Sequence, residues 1–288
     1  MIRPNNRYIL FVLPALIFFV IIVVLPIFLT VFFSFVEWER FILKDIGTLK
    51  HYNRLLTDPV LVKSFKHNFL YIGMTIILEV SVGLILAGIA YSMKRSMWFR
   101  GLIFAPIILP SLVIGVLWRQ IYATSGGLLN TILTSNGFES VVWLAPPLTV
   151  YSVSFVSGWI FAGFYMTIFY AGFSRIPISL LESAELEGAG AFRKFFQIEI
   201  PLIKNLIMLS LLLVTTGGFK GFDLFQILLR RDPLQSGIVL PVQLVRTFFE
   251  NRDIGYGSAI SVLLTFVVII IMLIISKISK IVGKVDEY

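Results

Sequence analysis

Six stretches of the chain, at 8–36, 68–93, 101–122, 150–173, 202–229 and 256–276, are long, mostly apolar and poor in charge. Roughly 20 apolar residues in a helix cross the hydrocarbon core of a bilayer, and each stretch reaches that length. With 58% hydrophobic and 14% charged residues, the chain reads as an all-α polytopic integral membrane protein with six transmembrane helices. Barrel strands would be about half as long and would alternate in polarity, so a helical bundle is the expected fold. The first stretch follows Arg3 and Arg7 as a secretory signal would, but it is too long for a signal core and no small-residue cleavage site follows. It is therefore read as a membrane helix, kinked or adjusted near Pro14 and Pro26.

No linker rich in glycine, serine or charge divides the chain. Residues 1–67 are read as the first helix and an external polar segment, 68–279 as the main membrane domain, and 280–288 as a tail. Segment 37–67 is polar, ends in Asp58-Pro59, and is expected to form short helices or turns. Residues 123–149 are a second excursion, punctuated by Ser125-Gly126-Gly127 and Ala145-Pro146-Pro147. The net charge of +8 is scattered among acids rather than gathered in a stripe, which argues against nucleic acid as a partner. Cysteine is absent, excluding disulfides and thiolate metal sites. His51 and His67 form no ligand cluster and are read as solvated or interfacial.

One polar island, about 174–201, interrupts the apolar pattern. It reads Ile176-Pro177-Ile178-Ser179-Leu180-Leu181-Glu182-Ser183-Ala184-Glu185-Leu186-Glu187-Gly188-Ala189, then Phe192-Arg193-Lys194-Phe195-Phe196 and Ile198-Glu199-Ile200-Pro201. Pro177 can open a helix, and Ser179 with Glu182 fits a capping box. That helix is expected to run to about Leu186. Gly188 is a left-handed stop, and Phe192, Phe195 and Phe196 recur at helical spacing to give a second short helix. Two helices meeting at a glycine make an elbow suited to docking. The plainer reading, in which Glu182 only caps a helix and the phenylalanines face lipid, is open on these residues alone.

The island resembles the EAA loop by which membrane subunits of ABC importers grip their ATPases. The matching positions are Glu182, Ala184, Gly188, Ala189 and the closing Ile198-x-Ile200-Pro201, with Ser183 where the family usually has alanine and Glu187 where it often has aspartate. Leu49-x-x-Tyr52-x-x-Leu55-Leu56-x-Asp58-Pro59 with Asn68, then Phe99-Arg100-Gly101, Pro106, Pro110, Trp118, Gly127 and Asn130-x-x-Leu133, follow the order of sugar-importer permeases. Phe222-Asp223 and Gly255-Tyr256-Gly257-Ser258-Ala259-Ile260-Ser261 continue it. The whole is similar to the maltose- and glycerol-phosphate-permease type, MalF-like, for carbohydrate import. Arg231-Asp232-Pro233 departs from the Gly-Gly-Pro common in that family. The resemblance implies a coupling role for Glu182, Ser183, Ala184, Glu185, Gly188, Ala189, Phe192 and Pro201. It also implies a second related permease subunit, two ATPase subunits that use ATP and Mg, and an extracytoplasmic solute-binding protein, in the plasma membrane of a prokaryote.

No G-x-x-x-x-G-K-[ST] phosphate loop occurs, so the chain is read as no enzyme, with no catalytic residues, no metal and no cofactor of its own. Ionisable groups within spans point to a hydrated path or a paired partner. These are Glu79, Lys220 and Asp223; the last two, three apart, either pair with each other or serve the path. Aromatic faces and hydrogen-bonding side chains suit a sugar, which brings in Trp118, Tyr122, Trp159, Tyr165, Phe219, Phe222 and Gln226. The expected function is the permease subunit of an ATP-driven importer for a sugar, oligosaccharide or related polyol. A proton-coupled secondary transporter, using Glu79 or Asp223, and a non-transporting scaffold are the alternatives.

Lysine and arginine counts barely separate the two sides of the membrane. Placing the island in the cytoplasm, as the resemblance implies, puts both termini there and 37–67, 123–149 and 230–255 outside. Cysteines introduced by Ser135→Cys and Ser183→Cys should then label oppositely with a membrane-impermeant thiol reagent in intact cells; equal labelling would overturn this topology.

Overall fold

Proline and glycine decide where these apolar stretches stay straight and where they break. The computed structural model describes residues 7–39, 42–93, 96–229 and 237–284. Lys94, Arg95, Arg231-Asp232-Pro233 and both chain ends fall outside them. The first helix, α1 (Phe11–Phe33), is continuous. Its adjustment is a π-helical turn at Val20–Val24, where the Leu25 N–H bonds to the Val20 carbonyl, just ahead of Pro26. A proline removes one rung of the helical ladder, and the wider turn beside it absorbs the change without a break.

Among the described residues four helices are long and apolar enough to cross a membrane, or up to six if each of two bent pairs is one span. Besides α1, the straight ones are α3 (Pro59–Ser92), α7 (Thr149–Phe173) and α13 (Ile254–Ile278). Between α1 and α3 lie a hairpin, β1 (Val36–Glu39) with β2 (Ile42–Ile46), and α2 (Lys50–Thr57). Only helices or turns were expected here. The strand forms because Val36-Glu37-Trp38 alternates: Val36 is buried while Glu37 reaches out to the Lys50 ammonium, which holds the Glu37 carboxyl below its ordinary range. The expected start of the second span, Asn68, also moves back. Asp58 accepts the N–H groups of Val60 and Leu61 at 2.8 and 3.3 Å, and Pro59 suits a first helical position.

The expected third span, 101–122, is instead two helices, α4 (Ser96–Ile108) and α5 (Ser111–Ile121), bent by 97°. Leu109 precedes Pro110 and takes an extended ψ of 139°, as steric pressure from a proline ring requires. The expected fifth span, 202–229, is also divided. Following α6 (Leu128–Ser135), α7, α8 (Ile178–Leu186) and α9 (Ala191–Leu202), helix α10 (Lys204–Gly218) meets α9 at 71° and stops after Gly217-Gly218. A new helix, α11 (Asp223–Leu229), follows Gly221, and α12 (Leu240–Val245) precedes α13.

Two compact units emerge, one of Met1–Leu61 with Gln243–Val267, the other of Val62–Val242 with Val268–Tyr288. In the first, Arg54 donates to Asp253 (2.8 Å) and lies 3.9 Å above the Tyr256 ring, whose hydroxyl donates to Asp58 (2.6 Å). His51 belongs to this unit's interior. Contrary to the solvated reading, it is buried 3.1 Å from the Val36 carbonyl, because α2 turns His51 and Leu55 to the same inward face. In the second unit His67 is half-buried, 3.0 Å from the Ile238 carbonyl.

The core of the second unit lies along α7, where Met166, Phe169 and Phe173 are fully buried among Val80 and Ala87 of α3 and Val214 of α10. Membrane helices gain from close van der Waals approach at small residues. A Cβ on Gly163 would stand 2.2 Å from the Ile103 carbonyl oxygen of α4, and one on Gly83 would stand 2.8 Å from the Tyr165 Cβ. Gly163→Val should therefore force α4 and α7 apart and destabilise the folded chain by on the order of 3 kcal/mol. Gly101→Ala, where the added carbon meets nothing within 4 Å, should be neutral or stabilising by up to about 1 kcal/mol. Thermal unfolding in detergent compares the two, and equal midpoints would contradict this packing.

Candidate functional site

Polar residues spaced four apart put Tyr71, Thr75 and Glu79 on one face of α3. A π-helical turn at Ile76–Ser81 contains Glu79. Opposite, on α7, Gly158 lets Leu78 come so near that an added Cβ would lie 2.6 Å from the Leu78 Cβ. That approach sets the neighbours of these two residues against each other. The Tyr71 hydroxyl donates to Ser157 Oγ (3.0 Å), and Ser157 Oγ donates to Glu79 Oε1 (2.7 Å).

This chain of hydrogen bonds forms one wall of a cavity of about 610 Å³, closed by the α4–α5 bend at Leu109 and Ser111, by Phe161, Phe164 and Tyr165 of α7, and by the 220–224 segment after α10. Residues at both breaks line the space, Leu109 and Ser111 on either side of Pro110 and Gly217, Gly218, Lys220, Gly221 and Phe222 at and after the end of α10, and irregular backbone that lines a cavity is the kind a bilayer tolerates. Helix α11 is held on α5 by Gly115, where a Cβ would lie 2.4 Å from Ile227. Its first residue, Asp223, thereby reaches the cavity margin.

Of the residues expected along a substrate path, Glu79, Tyr165, Phe222 and Asp223 line this cavity. Trp118 and Tyr122 do not: they lie 5.3 Å from each other and pack with Trp143, Phe155 and Trp159 at centroid distances of 5.6–6.0 Å, and the Tyr122 hydroxyl donates to the Ser152 carbonyl. Trp159 lines a second, mostly apolar cavity with Leu78, Val82 and Ala162. Phe219 is buried edge-on against Phe69, and Gln226 is half-buried away from the cavity wall. Lys220 and Asp223 both line the cavity, but no ion pair joins them among the described residues, because the chain between them is not helical and they share no helix face. Tyr71 and Ser157 were missed. The spacing Tyr71, Thr75, Glu79 is a sequence signal for the first, while nothing local marks Ser157.

The island forms the expected elbow with a different start. Pro177 is the N-cap of α8 and no side chain caps the helix. Ser179 therefore lies within the first turn and Glu182 beyond it, so no capping box forms. The end is a Schellman motif: Gly188, at φ +83°, gives its N–H to the Glu185 carbonyl, and the Ala189 N–H reaches the Ala184 carbonyl. The Lys194 ammonium then bridges back to Glu185 at 3.0 Å. Glu182, Ser183, Leu186 (91% exposed) and Phe192 (77% exposed) face outward. Pro201 is exposed at the end of α9, just before the bend into α10.

Helices of membrane-crossing length around a largely apolar cavity with one hydrogen-bonded polar wall, with an exposed elbow beside them, fit a multi-pass membrane protein. The family described as "Binding-protein-dependent transport system inner membrane component" matches residues 79–284. The chain is 34% identical over 278 residues to the probable ABC transporter permease protein YurN of Bacillus subtilis, covering 94% of this chain and 95% of that one. It is 29% identical over 270 residues to the trehalose/maltose transport system permease protein MalF of Thermococcus litoralis, covering 91% and 89%. A bacterial alginate ABC transporter, solved in complex with an alginate pentasaccharide-bound periplasmic protein, shares the fold with a TM-score of 0.84 at 19% identity, covering 96% and 95%. The chain belongs to the binding-protein-dependent transport system inner membrane components. Of the readings open from the sequence, the permease is the one this membership selects.

Removing the central hydroxyl of the cavity wall tests its internal bonding. Ser157→Ala strands both the Glu79 carboxyl and the Tyr71 hydroxyl and should destabilise the chain by about 1–3 kcal/mol. Tyr71→Phe leaves the Ser157–Glu79 bond in place and should cost less. Thermal unfolding of both variants in detergent gives the order, and a reversed order would contradict the bonding described.

Proposed function

We propose that this chain is the permease through which an ATP-driven ABC importer passes a sugar, oligosaccharide or related polyol. An extracytoplasmic solute-binding protein delivers the substrate, a second related permease completes the path, and two partner ATPases bind ATP and Mg. The chain crosses the plasma membrane six times, counting each bent pair as one span, with both termini and the island in the cytoplasm. In this reading residues 68–279 are the transport domain, preceded by the first helix and an external segment.

One observation carries the proposal: an exposed elbow built on Gly188 presents Leu186 and Phe192 beside Glu182 and Glu187. Large apolar side chains beside charges suit a protein partner. Closure of the ATPases would push on this elbow and rock the helices between inward- and outward-open arrangements. Carbohydrate as cargo is supported by the named substrates of relatives such as the trehalose/maltose permease. The cavity fits as well, with aromatic faces at Phe161, Phe164, Tyr165 and Phe222 for C–H surfaces and Glu79, Ser157 and Asp223 for hydroxyls.

Purified complex and binding protein in vesicles test this. Gly188→Val places a β-branched residue at positive φ, which costs at least about 1–2 kcal/mol, with no steric clash added. ATPase binding should weaken or uptake should uncouple from hydrolysis, and Glu182→Lys should act similarly by reversing a docking charge. Glu79→Gln and Asp223→Asn should change uptake with the complex intact. Accumulation of substrate by this chain alone, without any ATPase, would overturn the proposal.

A further inference from the structure

We propose that Phe195 is the positioning residue through which displacement of the island reaches the membrane helices; this rests on the reading of the island as the ATPase-docking element. The island touches the bundle through a graded series of rings. Phe192, at the exposed end, lies 4.4 Å from Phe196, which meets Phe195 edge-on at 5.1 Å. Phe195 then contacts Phe173, the last residue of α7, at 5.9 Å. Phe173 is fully buried and lies 5.9 Å from Tyr91 of α3.

Phe195 also has a fitted seat on α3. A Cβ on Gly88 would stand 2.6 Å from the Phe195 Cε2, with two more ring atoms at 3.3 Å, so the ring occupies the notch that the missing side chain leaves. It thus bears on α3 and α7 together, the two helices whose Tyr71, Glu79 and Ser157 form the cavity wall. The spacing 192, 195, 196 keeps the three rings on one face. The Lys194–Glu185 bridge ties the two docking helices across the elbow, so a push on either is felt by both. Close-packed rings do not deform continuously; they shift between discrete arrangements. Moving the island therefore moves Phe195 against Gly88 and Phe173 or unseats it.

Reconstituted transporter with its ATPases and binding protein provides the test, read as substrate taken up per ATP hydrolysed by assembled complex. Phe195→Ala should leave ATPase co-purification and hydrolysis in place while uptake per ATP falls about fivefold, within the range of coupling carried by packed networks. Gly88→Ala should crowd the ring and lower the same ratio, and Phe195→Leu combined with Gly88→Ala should restore much of it, a compensation that general destabilisation does not produce. Uptake per ATP at the wild-type level in both Phe195→Ala and Phe195→Leu would overturn the role of Phe195. Gly188→Val and Glu182→Lys in the same preparations separate the two ideas: if they uncouple while the Phe195 variants do not, only the Phe195 proposal fails, and if they too stay fully coupled, the docking reading fails with it.

Discussion

Helix α7 runs through the second unit at distances from its neighbours that only glycine permits, and the other features of that unit follow from this approach. Gly158 and Gly163 on α7 and Gly83 on α3 stand where a Cβ would fall under 3 Å from a neighbouring side chain or backbone atom. Hydrocarbon offers little hydrophobic drive between helices, so contact must come from packing at short range. Such packing fixes register. With Leu78 against Gly158, Glu79 and Ser157 are brought within hydrogen-bonding distance, and the polar wall of the cavity is set by an apolar contact one residue away.

The same constraint explains why broken helices are tolerated. The turn at Leu109-Pro110 and the interruption at 219–222 release backbone groups that lipid could not satisfy. Leu109 of the first and Lys220, Gly221 and Phe222 of the second line the cavity. A buried carboxyl that accepts from a serine, a lysine and an aspartate that form no ion pair with each other among the described residues, and several aromatic faces share this space. At the island the Schellman end at Gly188 turns the chain between two short helices, and Phe195 of the second sits in the notch left by Gly88 of α3.

Much of this was legible in the chain. The class of fold, the first, second, fourth and sixth spans, the left-handed Gly188 and the aromatic spacing of α9 all follow from hydrophobic run length and local backbone chemistry. The capping box was not formed, because Pro177 took the cap position and moved Ser179 inside the helix. The hairpin at Val36–Ile46 escaped notice because its strands are too short to compete with the helix-length pattern around them. Trp118, Tyr122 and Phe219 have the chemistry of a sugar site but are used for packing, and residue type does not distinguish those uses.

The sequence by itself determined that this is a helical membrane protein with an elbow at 188, since hydrocarbon thickness and the steric preference of glycine act on any chain carrying these runs. Tertiary structure alone decided which polar groups share a space. Ser157 meets Glu79, and Lys220 fails to meet Asp223, because helix crossings and helix breaks set the distances between side chains, and those depend on contacts such as Gly158 with Leu78 and Gly115 with Ile227 between residues far apart in the chain.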